Sequence, residues 1–307
     1  MAPTARPAAE TARVRPADAL LMVVAVLGVS TSGPLIAACA APVIAVAFWR
    51  LAIATAGGAV FVLARQASGL AALRGRTLWL TLLSGALLAG HFATWVSALR
   101  MTSVASATAL VCLHAGWAAL FSWWAGERPT RRVVTGLLVA LAGVLVVSGV
   151  DFSISVRALA GDGLALIGGV FSGAYMVLGG QVRQTTSTAV YTTVCYAVCT
   201  LLLLAICLVG GLPLTGYTTP DWIRILALTV LAQLLGHSVF NHLLARTTAT
   251  VVALVILAEV PGAALLAAAF LGQIPPLGVF VGLAVVLAGV ALVVTGGRTT
   301  ALAVPPD

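Results

Sequence analysis

Long apolar runs separated by short polar breaks dominate the chain. Ten of them approach or exceed the roughly 20 residues that a helix needs to cross a bilayer. Their limits are about 18–38, 42–64, 77–99, 103–125, 131–149, 161–181, 186–209, 221–244, 247–271 and 276–296. The breaks carry turn or charge signals: Ala41-Pro42, Arg74-Gly75-Arg76, Gly126 through Arg132, Gly210 through Pro220, and Pro275-Pro276. The strict alternation that marks membrane-crossing strands is absent, which favours a helical bundle over a barrel. The pattern predicts an all-α integral membrane protein with ten transmembrane helices.

Composition agrees. Of 307 residues, 61% are hydrophobic and 8% charged, and the mean hydropathy is +1.13. Soluble domains carry about 25% charged residues. The net charge of +8 does not point to nucleic acid, because the Arg residues fall between apolar runs instead of forming a patch. That spacing suits loops held at an anionic leaflet, so the lipid bilayer is the expected partner. The five cysteines all lie inside apolar segments and form no CxxC pair. They read as small buried hydrophobes, with neither disulfide nor metal site expected. Residues 1–17 are polar and basic, and the apolar run after them is too long for a cleaved leader. They read as a cytoplasmic tail before a retained first helix, with a second short tail at 297–307.

Arginine placement tests the span count. With the N-terminus in the cytoplasm, twelve Arg residues fall inside, three (Arg100, Arg157, Arg224) fall outside, and Arg50 lies within the second span. This bias supports ten spans with both termini cytoplasmic. A shift of 146 positions then exposes a repeat. Gly90-His91 falls on Gly236-His237, Arg100 on Arg246, and GLLVALAGV at 136–144 on GLAVVLAGV at 282–290, where seven of nine residues are identical. The chain reads as two homologous five-helix halves, 18–149 and 161–296, joined by an external linker at 150–160. Five is odd, so the second half enters from the opposite side and the halves are inverted repeats. Secondary transporters are built this way, with their sites near the midplane. His91 and His237 are then expected to flank a common centre.

An ionisable group in a helix centre costs roughly 2.5–3.5 kcal/mol on insertion scales, so each such residue is a candidate for function. Glu259 stands about twelve residues into the ninth span, ahead of Val260-Pro261-Gly262. That step loosens a helix and frees carbonyls. A carboxyl held away from water can exchange a proton near neutral pH. Glu259 therefore reads either as a proton-coupling or amine-binding carboxylate or as a structural partner of Arg50. Arg50 fits a substrate carboxylate, a packing ion pair, or an outward-reaching side chain. His91, His237 and His114 fit either interhelical hydrogen bonds or a titrating cavity wall; His242 reads as interfacial. Trp95 and Trp117 suit an aromatic cavity wall, while Trp79, Trp123, Trp124 and Trp222 read as belt residues at the membrane interface. Asn241 and Gln233 add polarity to the eighth span. Gly169 and Gly173 form a small-residue face, and Gly136, Ala140, Gly143, Gly282 and Gly289 suggest close packing of spans five and ten. Those faces also leave room for a homodimer.

The strings ALRMTSVASATALV, AGERPTRRVVTGLLVALAGV and LAEVPGAALLAAAFLGQIPPLGVFVGLAVVLAGV, with RLAIA after Trp49, resemble the EamA family of the drug/metabolite transporter superfamily. The resemblance covers about residues 18–296. It implies a bacterial inner-membrane carrier with a central cavity, most often an exporter of amino acids, other metabolites or drugs. It matches Glu127 to the acidic residue of the family's turn after helix four and Pro261 to the helix-nine proline. Two positions depart from the family pattern. Gln273 replaces the second-repeat acid, which makes that turn structural, and Leu113-His114-Ala115-Gly116 stands where helix four often carries a proline.

The expected function is a secondary transporter of small molecules, with proton coupling through Glu259 left open and no cofactor. A lipid or lipid-carrier flippase is the alternative. An intramembrane enzyme is disfavoured, because no HExxH or comparable cluster is present. No phosphate-binding loop for ATP appears.

Overall fold

The computed structural model describes residues 16–124, 131–246, 252 and 255–296, and every regular element among them is helical. The first half contains α1 (Pro16–Ser30), α2 (Ser32–Ala38), α3 (Val43–Arg65), α4 (Ala67–Ala72), α5 (Gly75–Ala98), α6 (Val104–Val111), α7 (His114–Trp124) and α8 (Arg131–Ile154). Then come α9 (Val156–Val182), α10 (Thr188–Val209), α11 (Thr219–Leu228), a π-helical stretch Thr229–Ser238, α12 (Val239–Leu243), α13 (Glu259–Leu271) and α14 (Leu277–Gly296). Among the described residues, seven helical stretches are long and apolar enough to cross a membrane: Ala17–Ala38, Val43–Arg65, Gly75–Ala98, Val104–Trp124, Val156–Val182, Thr188–Val209 and Thr219–Leu243. Three shorter apolar helices, Val134–Gly143, Glu259–Leu271 and Leu277–Gly289, stand where spans five, nine and ten were expected.

Helix starts follow local chemistry. Ser103, Ser155, Ser187 and Thr218 each accept a hydrogen bond from the backbone N–H three residues on, which satisfies an otherwise orphaned donor. Ser155 explains one difference from expectation. The segment 150–160, expected to be a linker, is helical on both sides of this single extended residue. At the far end, α13 stops at Gly272, whose φ of 66° is the left-handed conformation that glycine tolerates best. Two tails and the Glu127 turn lie outside the described residues.

Expected span one is interrupted between α1 and α2. Ser30 and Thr31 donate their hydroxyls back to the Val26 and Gly28 carbonyls, and Pro34 removes a backbone donor. A larger difference affects spans four and nine. Span four was expected to be continuous, and span nine to loosen at Val260-Pro261-Gly262. Instead, α6 and α7 are separated at Cys112–Leu113, and α13 begins at Glu259 after a turn at Leu257–Ala258. A shift of 146 brings these interruptions to within one residue of each other.

Packing is closest where glycine permits it. A Cβ built on Gly143 would lie 2.8 Å from the Gly282 carbonyl oxygen, and one on Gly289 would lie 2.6 Å from that of Gly136. The small faces of α8 and α14 are thus spent against each other. Gly169 and Gly173 of α9 lie against α6 and α7 in the same manner, with Cβ positions 3.0 Å from the Val111 carbonyl oxygen and 2.8 Å from Trp117 Cβ. The glycines before the paired histidines also serve close approach: a Cβ on Gly90 meets the Phe171 ring, and one on Gly236 meets Val29.

Large apolar side chains cover much of the outside, among them Leu27, Leu63, Leu201 and Phe270. Such a surface is unfavourable in water and matches lipid. Trp79, Trp123 and Trp124 are also exposed, as belt residues would be.

The three Arg residues expected outside converge at one end. Arg157 donates to the Arg100 carbonyl, Arg100 donates to the Cys39 and Ala41 carbonyls, and Arg224 pairs with Asp221 at 2.9 Å. Asp221 also accepts from the Ala40 N–H. Burial, reinforced by the Asp221 carboxylate, pushes the Cys39 thiol up to about 11. Another contact joins the two halves: Arg246 lies 3.3 Å from Asp18.

Candidate functional site

The interrupted helices meet at a cavity. Val111 and Cys112 at the end of α6 and His114 at the start of α7 form one side, and Glu259 at the start of α13 joins them. His91 and Trp95 come from α5, Ser172, Tyr175 and Met176 from α9, and His237, Phe240 and Asn241 from the eighth span. Leu244, Val252 and Ile256 complete the described wall. About 40 Å³ is open to the centres of water-sized molecules. Six of the eight sequence candidates line it: Glu259, His91, His237, His114, Trp95 and Asn241.

The imidazoles are held from two halves. His91 Nδ1 lies 3.0 Å from the Gly168 carbonyl, so that nitrogen carries the proton and donates. The His91 ring stacks on Trp95 with 5.8 Å between centroids and an interplanar angle of 8°. Phe92 bridges the repeat, touching His91 at 5.0 Å and the edge of His237 at 5.9 Å. His114 Nδ1 lies 3.1 Å from the Val111 carbonyl, where it satisfies a C-terminal acceptor left by the break. Glu259 is 8% exposed and sits in the first turn of α13, where the helix dipole favours a carboxylate.

Two candidates fall outside the wall. Arg50 is fully buried; its Nε donates to Gln233 Oε1 at 2.7 Å and its Nη1 to Ser32 at 3.0 Å. Its guanidinium lies over the Phe92 ring at 4.7 Å. These contacts take the place of an ion pair with Glu259. Trp117 projects to the α7–α9 contact, where its Cβ meets Gly173 and its ring stacks on Phe121 at 6.4 Å. The turn of α7 that puts His114 on the cavity carries Trp117 to its neighbouring face. Gln273 is structural, since its side-chain oxygen accepts from the Val104 N–H at 3.1 Å, at the start of α6. Half-buried His242 lies 3.4 Å from Thr188 Oγ1.

A sequence model of the EamA-like transporter family matches residues 17–149 and again 159–295. The chain belongs to the EamA-like transporter family. It is therefore a multi-pass membrane transporter of the drug/metabolite type, and the two matches coincide with the two halves of the sequence. Seventeen chains of solved structures match this EamA-like chain. One crystal structure of a protein aligns with a TM-score of 0.66 and 22% identity, covering 91% of this chain and 96% of its own. At that identity the likeness concerns the fold. No curated protein matches.

In this EamA-like transporter the wall residue Tyr175 and the polar chain behind Asn241 were not legible from sequence. Tyr175 donates to Asn241 Oδ1 at 2.8 Å, Asn241 Nδ2 donates to Tyr196 at 3.2 Å, and Tyr196 lies 3.2 Å from Ser238 Oγ. Ser238 then donates to the Gln233 carbonyl at 3.1 Å. This chain orients Asn241 and runs toward the Arg50 cluster. The signal available was tyrosine hydroxyls inside apolar helices, which need partners when buried. The π-helical winding of Thr229–Ser238 has no evident sequence mark; such windings often accompany functional sites.

Proposed function

We propose that this chain is a secondary active transporter that exports a small amphipathic metabolite, a class that includes amino acids, through the cavity at the helix interruptions. The single observation that supports this most is the convergence of Glu259, His91, His114 and His237, drawn from both halves of the chain, on one cavity. Polar groups are expensive in a membrane, and clustering at broken helices is how transporter sites are formed. Glu259 acts in this reading as the proton-coupling or amine-binding group, since Arg50 is already bonded to Gln233 and Ser32.

The wider reading has ten crossings, both termini in the cytoplasm and a bacterial inner membrane as the location. The reciprocal contacts of Gly143 with Gly282 and of Gly289 with Gly136 support inverted halves, because a shift of 146 exchanges the two contacts. Alternating access would come from rocking one half against the other.

The test is mass spectrometry of medium and cell interior, comparing cells that express wild type or Glu259→Gln at matched membrane levels. Export predicts a compound enriched outside with wild type alone. Identical profiles together with a redistributed lipid would favour a flippase, and a chemically altered compound would favour an enzyme.

A further inference from the structure

The cavity wall carries one sign of contact charge. Among the described lining residues Glu259 is the one acid, and no Arg is present. Arg50 is fully buried and does not line the cavity: it lies over the Phe92 ring, with Nε and Nη1 engaged by Gln233 and Ser32 and Nη2 buried without a partner. The helix interruptions supply few amide donors either. The Gly116 and Trp117 N–H groups donate to the Leu113 carbonyl, and the Val260 N–H donates to that of Leu257. Buried charges must be paired or hydrogen-bonded. A monocation entering this cavity neutralises Glu259. A zwitterion would bring in a carboxylate that finds no Arg to pair with among the described lining residues.

The remaining chemistry describes the rest of the ligand. Trp95, stacked on His91, and Phe240 give aromatic surface, which attracts both apolar groups and cations. Trp95 Nε1 is buried without a hydrogen-bond partner. An indole N–H is purely a donor and asks for an acceptor; a hydroxyl or carbonyl oxygen supplies one without adding a second negative charge beside Glu259.

We infer that the cavity takes amphipathic organic amines as monocations, with the ammonium on Glu259, an apolar or aromatic body on Trp95 and Phe240, and a neutral acceptor facing Trp95 Nε1. Amino acids, as zwitterions, are poor ligands. This rests on the carrier reading above and narrows its substrate class.

The test uses the full-length protein, purified in detergent for binding and reconstituted in liposomes for flux. Three probes of similar shape separate the charges: phenylalaninol as cation, phenylalanine as zwitterion, and 3-phenylpropanol as neutral alcohol. The cation site predicts that phenylalaninol binds at least about tenfold tighter than either of the others, and that Glu259→Gln removes this preference. Equal or tighter binding of phenylalanine or of the alcohol by the wild type overturns it, as does no binding of phenylalaninol. The wild-type ranking decides even if the variant misfolds. Flux separates the two readings. Phenylalaninol bound tightly but never moved faster than through empty liposomes defeats the carrier and keeps the cation site. Phenylalanine moved in preference to phenylalaninol defeats the cation site and keeps the carrier.

Discussion

The α8–α14 pair and the cavity solve the same problem in opposite ways. In lipid, little hydrophobic force drives helices together, so helices associate through close packing or through polar contacts. Between α8 and α14, glycines remove side chains until backbones touch, and the helices run unbroken. Around the cavity the helices break, and imidazoles, a carboxylate and an indole N–H occupy the space released. One region gains its stability from shape. The other gives up helical hydrogen bonds and keeps polar groups that a purely structural bundle would lack. A carrier needs both: a stiff element against which motion occurs, and a site where polarity is maintained at some expense in stability.

Breaking the scaffold should have the largest effect. A side chain at Gly289 would place its Cβ 2.3 Å from the Ala140 backbone nitrogen. Backbone cannot yield as a rotamer can, so Gly289→Val should destabilise by about 3 kcal/mol or more. Loss of monodisperse protein on size exclusion would show it. Gly163→Ala, which meets nothing within 4 Å, should behave as wild type.

The cavity should respond the other way. Glu259→Gln is expected to lower flux at least about tenfold, the effect of losing one charged contact. Its melting temperature should hold or rise, since removing a charge relieves a burial cost. Lost flux with an equal loss of melting temperature would make Glu259 structural.

The histidines sharpen the comparison within the repeat. His91 donates to Gly168, whereas the contacts of His237 include the edge of Phe92. His91→Phe should cost about 1 kcal/mol of stability, the usual worth of one hydrogen bond, and His237→Phe less. Equal losses would mean that the duplicated residues are equivalent despite their different partners. The smallest effect concerns Cys39. With its thiol pushed up to about 11 by burial, little thiolate exists at neutral pH, and maleimide labelling of folded protein should be slow and accelerate in mild base. Fast labelling at pH 7 would show that the loop opens.

The contact between α8 and α14 was legible in the sequence. The 146-residue shift aligned Gly143 with Gly289 and Gly136 with Gly282, and small residues at such spacing dictate close helices. The convergence of His91 and His237 followed from the same duplication. The fates of Arg50 and Trp117 were not legible. Span assignment gives depth, but which face a side chain presents depends on neighbours far along the chain, such as Gln233 for Arg50 and Gly173 for Trp117. The helix-four break was hidden, because Cys112-Leu113 carries neither proline nor glycine; Pro261 marked a weakness in helix nine, but the break lies one turn earlier, at Leu257-Ala258. The polar chain through Tyr175 and Tyr196 was missed because a tyrosine in an apolar run reads equally as packing.

The central claim is that the cavity is a transport site facing each side of the membrane in turn. Ser172 lines it and is half-buried. The most direct measurement is labelling of Ser172→Cys, with the five native cysteines replaced by Ala, using a membrane-impermeant maleimide. Right-side-out and inverted vesicles would be compared. The account predicts labelling from both sides, slowed from both by bound substrate. Labelling from one side alone, or from neither during active flux, would contradict it.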